Sequence, residues 1–392
     1  MLISIAFMLM LGMFLGWVCR RLRLPGLMGM IFTGILLGPY AFNLIDVSIL
    51  NISSELRRIA LIIILMRAGL SLDLNDLKKV GRPAVLMCFL PACFEILGMV
   101  LLAPKLLGIT VLDAAIMGAV VGAVSPAVIV PKMLKLIEDG YGTDKGIPQL
   151  ILAGASVDDV FVIVMFTAFT GLAQGGTVSP LSFVRIPVSI LTGSLIGLAA
   201  GWVLALYFKR VHMRDTVKVI ILLCVAFILV TLEDMYSDIV PFSALISVMG
   251  MGIALQKKRE EAARRLSVKF NKVWVCAEIL LFVLVGATVN LRYALSAGLG
   301  AVILIFGVLV FRMAGVFCCL AETKLNRKER VFCMIGYMPK ATVQAAIGGM
   351  PLAMGLACGD IVLTVAVLAI LITAPLGAFL IDLTYKRFLQ SQ

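Results

Sequence analysis

Residues 152–169 read "LAGASVDDVFVIVMFTAF". Two adjacent carboxylates, Asp158 and Asp159, stand in an apolar run that continues for more than a helical turn on either side. Each is costly to hold charged away from water, so their presence demands a reason.

Composition says what surrounds them. Hydrophobic residues make up 62% of the 392 and charged residues 14%, against about 25% charged in an ordinary soluble domain. Mean hydropathy is +1.11. No soluble core buries that much apolar surface, so the solvent is a bilayer. About thirteen apolar stretches of roughly 17 or more residues follow one another, each able to cross about 30 Å of hydrocarbon. The segments between them are too short for a soluble domain.

The net charge of +12 invites a nucleic-acid reading, but the positions of the charges exclude it. Of 34 Lys and Arg, 26 fall in one alternate set of loops and the tail, from "CRRLR" to "KKREEAARRLSVKFNK" and "YKR". The opposite set holds five: Arg57, Arg58, Lys105, Arg185 and Arg292. That asymmetry places the N-terminus outside and the C-terminus in the cytoplasm of a cell (plasma or inner) membrane. No cleavable signal peptide is evident, because the first span lacks a charged n-region and Arg20–Arg21 follow it. The nine cysteines form no CxxC and no Cys/His cluster, so they read as small packing residues.

The two halves resemble each other. "GLSLDL" (69–74) aligns with "GATVNL" (286–291) at an offset of 217, and Phe94–Glu95 falls on Phe311–Arg312 at the same offset. Ser125–Pro126 aligns with Met338–Pro339 at 213. Corresponding spans are an odd number apart, so the halves cross in opposite directions: an inverted-topology repeat, common in secondary transporters. One span of each half is interrupted by proline, at "GAVSPAVIVPK" (122–132) and "GYMPKATVQ" (336–344). Proline removes a backbone donor, and in lipid the freed carbonyls need partners. Two crossed discontinuous helices near the midplane are expected, with half-helix ends and unwound carbonyls directed at an ion.

Asp158 lies about eleven residues into its span, roughly 17 Å from the cytoplasmic end at 1.5 Å per residue, which is the depth of both breaks. Adjacent helical residues point about 100° apart, so the two aspartates face different directions. A carboxylate at this depth suits proton and cation exchange: desolvation favours the proton, and a nearby cation displaces it. Hard monovalent cations want oxygen ligands, which Ser125, Ser156, Thr342 and the freed carbonyls can supply. The lone His212 lies in a cytoplasmic loop and is no ligand. Glu95 and Arg312 occupy equivalent repeat positions with opposite sign and read as a structural ion pair, which leaves the aspartates to titrate. Lys340, in the second break, reads as a fixed charge, and Arg67 and Glu278 lie at similar depths and read as an architectural pair. "DGYGTDKG" (139–146) holds a GYG tripeptide, but in a charged loop with no pore-lining segment it is only a loop.

The stretches "MRAGLSLDL", "GAVSPAVIVPKML", "DGYGTDKGIP", "GASVDDV", "MPKATVQAAIG" and "LAILITAP" resemble the cation–proton antiporter superfamily, most closely its NHA branch, the solute-carrier 9B-like sodium/proton exchangers. The similarity runs over nearly the whole chain from about residue 25. It implies an all-α polytopic membrane protein of the sodium/proton antiporter fold, working as a homodimer by elevator-like alternating access. Residues 1–80 and 215–294 would form the dimerisation domain, 81–173 and 295–392 the core transport domain, and 174–214 a linker region. Asp159 would be the principal carboxylate, holding Na+ or Li+ in exchange for H+, with Asp158 beside it. Ser125, Pro126, Ser156, Lys340 and Thr342 would lie at the periphery, and Glu95–Arg312 would be the interhelical pair. Regulation through the long N-terminal extension or C-terminal regulatory domain found in some relatives is not expected.

Some branches place an acidic residue in the first break, where this chain reads Ser125-Pro126-Ala127-Val128, so Lys340 is expected to lack its usual counterpart. Electrogenic relatives carry a lysine beside the ion-binding aspartate, where this chain offers Arg312; that favours electroneutral exchange. The expected partners are membrane lipids, small cations and a second copy of the chain, with no nucleic acid, no cofactor and no enzymatic reaction. K+/H+ antiport, sodium–organic anion symport, and a channel or membrane sensor remain the alternatives.

Overall fold

The apolar runs fold into helices, and the interruptions fall at glycine and proline. The computed structural model describes residues 1–22, 24–71, 81–174, 180–236, 242–289 and 291–391. In chain order the helices are α1 (Leu2–Arg21), α2 (Gly26–Leu37), α3 (Val47–Asn51), α4 (Ser53–Ser71), α5 (Arg82–Met87), α6 (Leu90–Leu107), α7 (Val111–Val121), α8 (Pro126–Glu138) and α9 (Ile147–Gln174). They continue with α10 (Pro180–Arg210), α11 (Asp215–Tyr236), α12 (Ala244–Lys258), α13 (Glu260–Thr288), α14 (Leu291–Cys319), α15 (Arg327–Gly336), α16 (Thr342–Ile347), α17 (Met350–Ala353) and α18 (Gly359–Phe388). Among the described residues no strand forms beyond one antiparallel bridge, Tyr141 to Ser391.

Eight helical segments among the described residues are long and apolar enough to cross a membrane. The thirteen stretches expected from sequence are counted differently. The apolar run that opens at Gly26 forms a helix of only 12 residues, and the run that follows Asn326 is divided among α15, α16 and α17.

The chain divides into two compact units. One contains Met1–Ser54, Leu74–Thr170 and Ile279–Gln392; the other contains Glu55–Asp73 and Gly171–Glu278. In the smaller unit α10 lies against α12 through glycines four residues apart. A Cβ at Gly193, Gly197 or Gly201 would stand 2.6, 2.3 and 2.4 Å from the carbonyl oxygens of Ser243, Ser247 and Met251. Such stripes let helix backbones touch, which is how spans associate where lipid competes for apolar contact. Ser247 Oγ donates to the Gly193 carbonyl across that seam, at 2.8 Å. Arg58 makes a bidentate pair with Asp234, both contacts 2.7 Å. Arg67 lies in the electrostatic field of Glu278.

In the larger unit the internal repeat becomes visible as packing. Phe311 lies over Gly98, whose Cβ would be 2.7 Å from the ring. Phe94 lies over Gly315, whose Cβ would be 3.1 Å from Phe94 Cβ and 2.9 Å from Pro91 Cα. Each phenylalanine thus uses the glycine four residues beyond its own repeat equivalent, and α6 and α14 pack reciprocally. The repeat segments at 72–74 and 290 lie outside the described residues.

The broken spans start alike. α7 opens with a capping box in which Thr110 Oγ1 accepts from the Asp113 amide and Asp113 accepts from the Thr110 amide. α15 opens with the same device from Asn326 and Glu329. Both boxes satisfy amides that a helix N-terminus leaves without partners. α7 then stops at Val121 and its span resumes at Pro126, with proline in the first helical turn where its missing N–H costs nothing. α15 stops at Gly336 and the chain resumes as helix at Thr342. The two crossed discontinuous helices meet where the Ser125 amide donates to the Pro339 carbonyl at 2.8 Å.

Candidate functional site: two helix breaks and a buried charge chain

A helix that stops inside a membrane leaves carbonyls without intrahelical donors, and each must find a partner. At the first break side chains supply them. Gln344, fully buried on α16, donates from Nε2 to the Val121 carbonyl at 3.1 Å and to the Ala123 carbonyl at 2.8 Å. Arg312 Nη1 donates to the Gly122 carbonyl between them. At the second break Arg312 Nε donates to the Tyr337 carbonyl at 2.6 Å, and the Pro339 carbonyl accepts the Ser125 amide. Each of these five freed carbonyls, expected from sequence to face an ion, thus accepts a protein donor with one of its two lone pairs. All are occupied by protein donors, because an unpaired carbonyl costs more in this setting than a buried side chain spent on it.

The free amides are capped by the spans that follow. Asp158 Oδ2 accepts from the Val124 amide at 2.9 Å, and Thr373 Oγ1 accepts from the Lys340 amide at 2.9 Å. One side chain of α9 therefore holds the first break and one of α18 the second.

Charge runs through the same place. Arg312 Nη1 is 2.6 Å from Glu95 Oε2, and its Nη2 is 2.8 Å from Asp158 Oδ2. Lys340 Nζ is 2.5 Å from the same Glu95 oxygen. Asp158, Arg312, Glu95 and Lys340 thus form one alternating chain, each at most 1% exposed. This extends the sequence expectation in two ways. Glu95 and Arg312 do not form a closed pair that leaves both aspartates free, since Arg312 also holds Asp158. Nor does Lys340 lack a counterpart, since Glu95 supplies it. A guanidinium offers five donors in a rigid fork and can serve two carboxylates and two carbonyls together, which an isolated-pair reading overlooks. The Arg312 guanidinium also lies over the Tyr337 ring, 5.5 Å from its centroid.

Asp159 stands apart. It is 6% exposed and forms no salt bridge among the described residues. Its Oδ1 is buried without a hydrogen-bond partner, as are Asp158 Oδ1, Ser125 Oγ, Thr342 Oγ1 and Tyr337 Oη. Buried polar atoms are nearly always paired, so four such oxygens on the named site residues stand out as lone pairs still open to a ligand. Pro126 begins α8 beside them. The Ser156 side chain lies outside the described residues. His, Cys, Asp and Glu form no group of three suited to a metal ion among the described residues.

Two contributors escaped the sequence reading. Gln344 carried a signal, being a lone amide in the apolar string "TVQAAIG". Tyr337 is held where its hydroxyl meets Gly154, a position at which a Cβ would be 1.9 Å away. Nothing in the local sequence pairs those two.

Residues 5–385 match the family model described as sodium/hydrogen exchanger, transmembrane. The chain belongs to the sodium/hydrogen exchanger family. Human sodium/hydrogen exchanger 9B2 is 35% identical over 389 residues, covering 94% of this chain and 70% of that protein. Mouse sodium/hydrogen exchanger 9B2 is 36% identical over 386 residues, covering 94% and 69%. Human sodium/hydrogen exchanger 9B1 is 31% identical over 386 residues, covering 93% and 73%. The solved structure of the sodium proton antiporter MjNhaP1 from Methanocaldococcus jannaschii at pH 8 superposes with a TM-score of 0.86, covering 98% of this chain and 97% of that one at 19% identity. That likeness establishes the antiporter fold. This member of the exchanger family is a multi-pass membrane protein, and the relatives it matches carry the names of transporters.

Proposed function

We propose that the chain exchanges Na+ or Li+ for H+ across the plasma (inner) membrane, as a homodimer embedded in lipid with its N-terminus outside and its C-terminus in the cytoplasm. One observation carries the reading. Of the three carboxylates buried around the two breaks, Glu95, Asp158 and Asp159, the first two are bonded to the buried cations Arg312 and Lys340, and Asp159 is bonded to neither. Three negative charges against two positive leave one in surplus, and it rests on Asp159.

A single proton or a single monovalent cation brings that site to neutrality. A carboxylate taken out of water grips its proton, and a cation brought beside it releases the proton, so the two compete. Asp159 is the principal carrier, and Asp158 supports it through the unpartnered Oδ1. Ser125 Oγ and Thr342 Oγ1 supply neutral oxygen ligands from the two breaks, and Ser156, Pro126 and Lys340 complete the surroundings. An uncompensated charge faces a high barrier in the low-dielectric middle position, so only the loaded site crosses, and exchange is obligatory. Because one charge replaces one charge, exchange is electroneutral. Residues 81–173 and 295–392 carry the site in an elevator-like movement, residues 1–80 and 215–294 serve as the dimerisation scaffold, and 174–214 link them.

The test is transport in proteoliposomes loaded with a proton gradient. Added Na+ or Li+ collapses the gradient, a permeant counter-ion leaves the rate unchanged, and Asp159→Asn abolishes the response. Wild-type exchange by the Asp159→Asn chain would remove the mechanism. A response to K+ alone would replace the cargo with K+.

A further inference from the structure

We propose that Gln344 is a specificity-determining positioning residue: its carboxamide withdraws the carbonyls of the first break from the cargo site and leaves that site to side-chain oxygens suited to a small cation. The inference rests on the antiport reading above and concerns which cation that same site accepts.

Three hydrogen bonds fix the amide. Gln344 Oε1 accepts from the Ala341 amide at 2.8 Å, while Nε2 donates to the carbonyls of Val121 and Ala123. The partners leave no choice of orientation, because an amide N–H can only donate and a carbonyl can only accept. Val121 closes α7, so these carbonyls belong to a helix C-terminus, where partial negative charge accumulates. With Gly122 held by Arg312, three successive carbonyls are engaged. Two residues on, the hydroxyl of Ser125 is buried and unpartnered. The site next to the break is thus sorted, with the backbone oxygens of Val121, Gly122 and Ala123 engaged and the Ser125 hydroxyl open.

That sorting bears on selectivity. Rows of backbone carbonyls are what replace the hydration shell of K+, with number and field strength of the dipoles in play. Removing Gln344's donors returns two such oxygens to the neighbourhood of Ser125 and Asp158. The same side chain closes the first turn of α16, which carries Thr342, so it also sets one hydroxyl ligand against the other break. A merely structural amide would alter stability and leave ion preference where it was.

The experiment uses the full chain in proteoliposomes, with Na+ and K+ titrated separately. Gln344→Met keeps the volume and removes every polar atom of the amide. Its KM for Na+ is expected to rise about tenfold, the equivalent of about 1.4 kcal/mol, while its response to K+ increases, so that the Na+/K+ ratio falls. Gln344→Glu keeps the acceptor for the Ala341 amide and can donate to one carbonyl only when protonated. Its Na+ KM is expected to approach wild type as pH falls and to diverge as pH rises, each value taken against wild type at the same pH. If either variant exchanges Na+ with the wild-type KM and Na+/K+ ratio across that range, the inference is overturned alone. If both variants fail to give monodisperse protein on gel filtration, Gln344 is structural and the inference is likewise overturned. A wild-type chain inert to Na+ overturns the antiport reading and takes this inference with it.

Discussion

The span broken at 122–125 and the span broken at 337–341 begin with matching capping boxes 216 residues apart, Thr110/Asp113 and Asn326/Glu329. Past the caps they diverge. The first break holds no charge of its own and is held by charges from elsewhere: its Gly122 carbonyl by Arg312 and its Val124 amide by Asp158. The second break contains Lys340, and its amide is held by the neutral hydroxyl of Thr373. One repeat contributes the carboxylates Glu95, Asp158 and Asp159, and the other contributes the cations Arg312 and Lys340. Neither half can neutralise its buried charge alone. The pseudo-symmetry supplies the frame, and its violation supplies the chemistry.

The hardest test of that comparison is to remove one cation at a time. Arg312→Met strips Asp158 of its buried cation and Glu95 of one of its two, and frees the carbonyls of Gly122 and Tyr337. Breaking a buried pair by deleting one partner costs about 3–5 kcal/mol, and here two carboxylates are affected. Lys340→Met leaves Glu95 bonded to Arg312 and is expected to cost about 1–3 kcal/mol, the scale of one lost charged hydrogen bond. Thermal midpoints of the purified variants should therefore rank wild type, Lys340→Met, Arg312→Met. The reverse order would mean that the chain is organised around Lys340 and would break the division of labour drawn here.

The caps give a second, smaller contrast. Beyond its capping box Asp113 meets only the weak thiol donor of Cys358 among the described residues, whereas Glu329 is 1% exposed and also accepts from the charged Lys145 Nζ, at 2.8 and 3.0 Å. Asp113→Ala should cost about 1 kcal/mol, as for an ordinary capping substitution. Glu329→Ala strands the Asn326 amide and Lys145 together, for about 2–3 kcal/mol. Equal losses at the two positions would show that the Lys145 contact is screened to nothing. The contact would then be no reason for Glu329 to be buried.

Much of this was legible in the amino-acid string, and the part that was not has a physical reason. Proline and glycine mark the breaks because their backbone chemistry differs from that of other residues. Asp158 and Asp159 stand out because hydrocarbon makes a carboxylate improbable, and the offset of 217 between Glu95 and Arg312 is a plain count. The capping boxes escaped that reading, although Thr-x-x-Asp and Asn-x-x-Glu before apolar runs carry a signal. What stayed hidden is the assignment of partners. The carbonyls of Val121, Gly122 and Ala123 are chemically alike, and no pattern says that Gln344 takes two of them and Arg312 the third. Lys340 meets Glu95 across 245 positions of sequence, a contact set by how α6 and the second break cross. For the same reason Arg312 read as the partner of one carboxylate, although its fork reaches two.

The faintest prediction probes the point at which the breaks are most nearly equivalent. Thr373 Oγ1 accepts the Lys340 amide as Asp158 Oδ2 accepts that of Val124, both at 2.9 Å, but a hydroxyl replaces the carboxylate. Thr373→Val keeps the shape and removes the acceptor, leaving one buried amide without its partner, for about 1–2 kcal/mol. The break should nevertheless stay in place, because the Ser125–Pro339 hydrogen bond and the Gln344 clamp do not involve Thr373. Lower thermal stability with an unchanged Na+ KM is therefore expected. A raised KM would show that the Lys340 backbone, and not only its ammonium group, sets the geometry of the ion site. The two caps would then be functional equivalents in spite of their difference in charge.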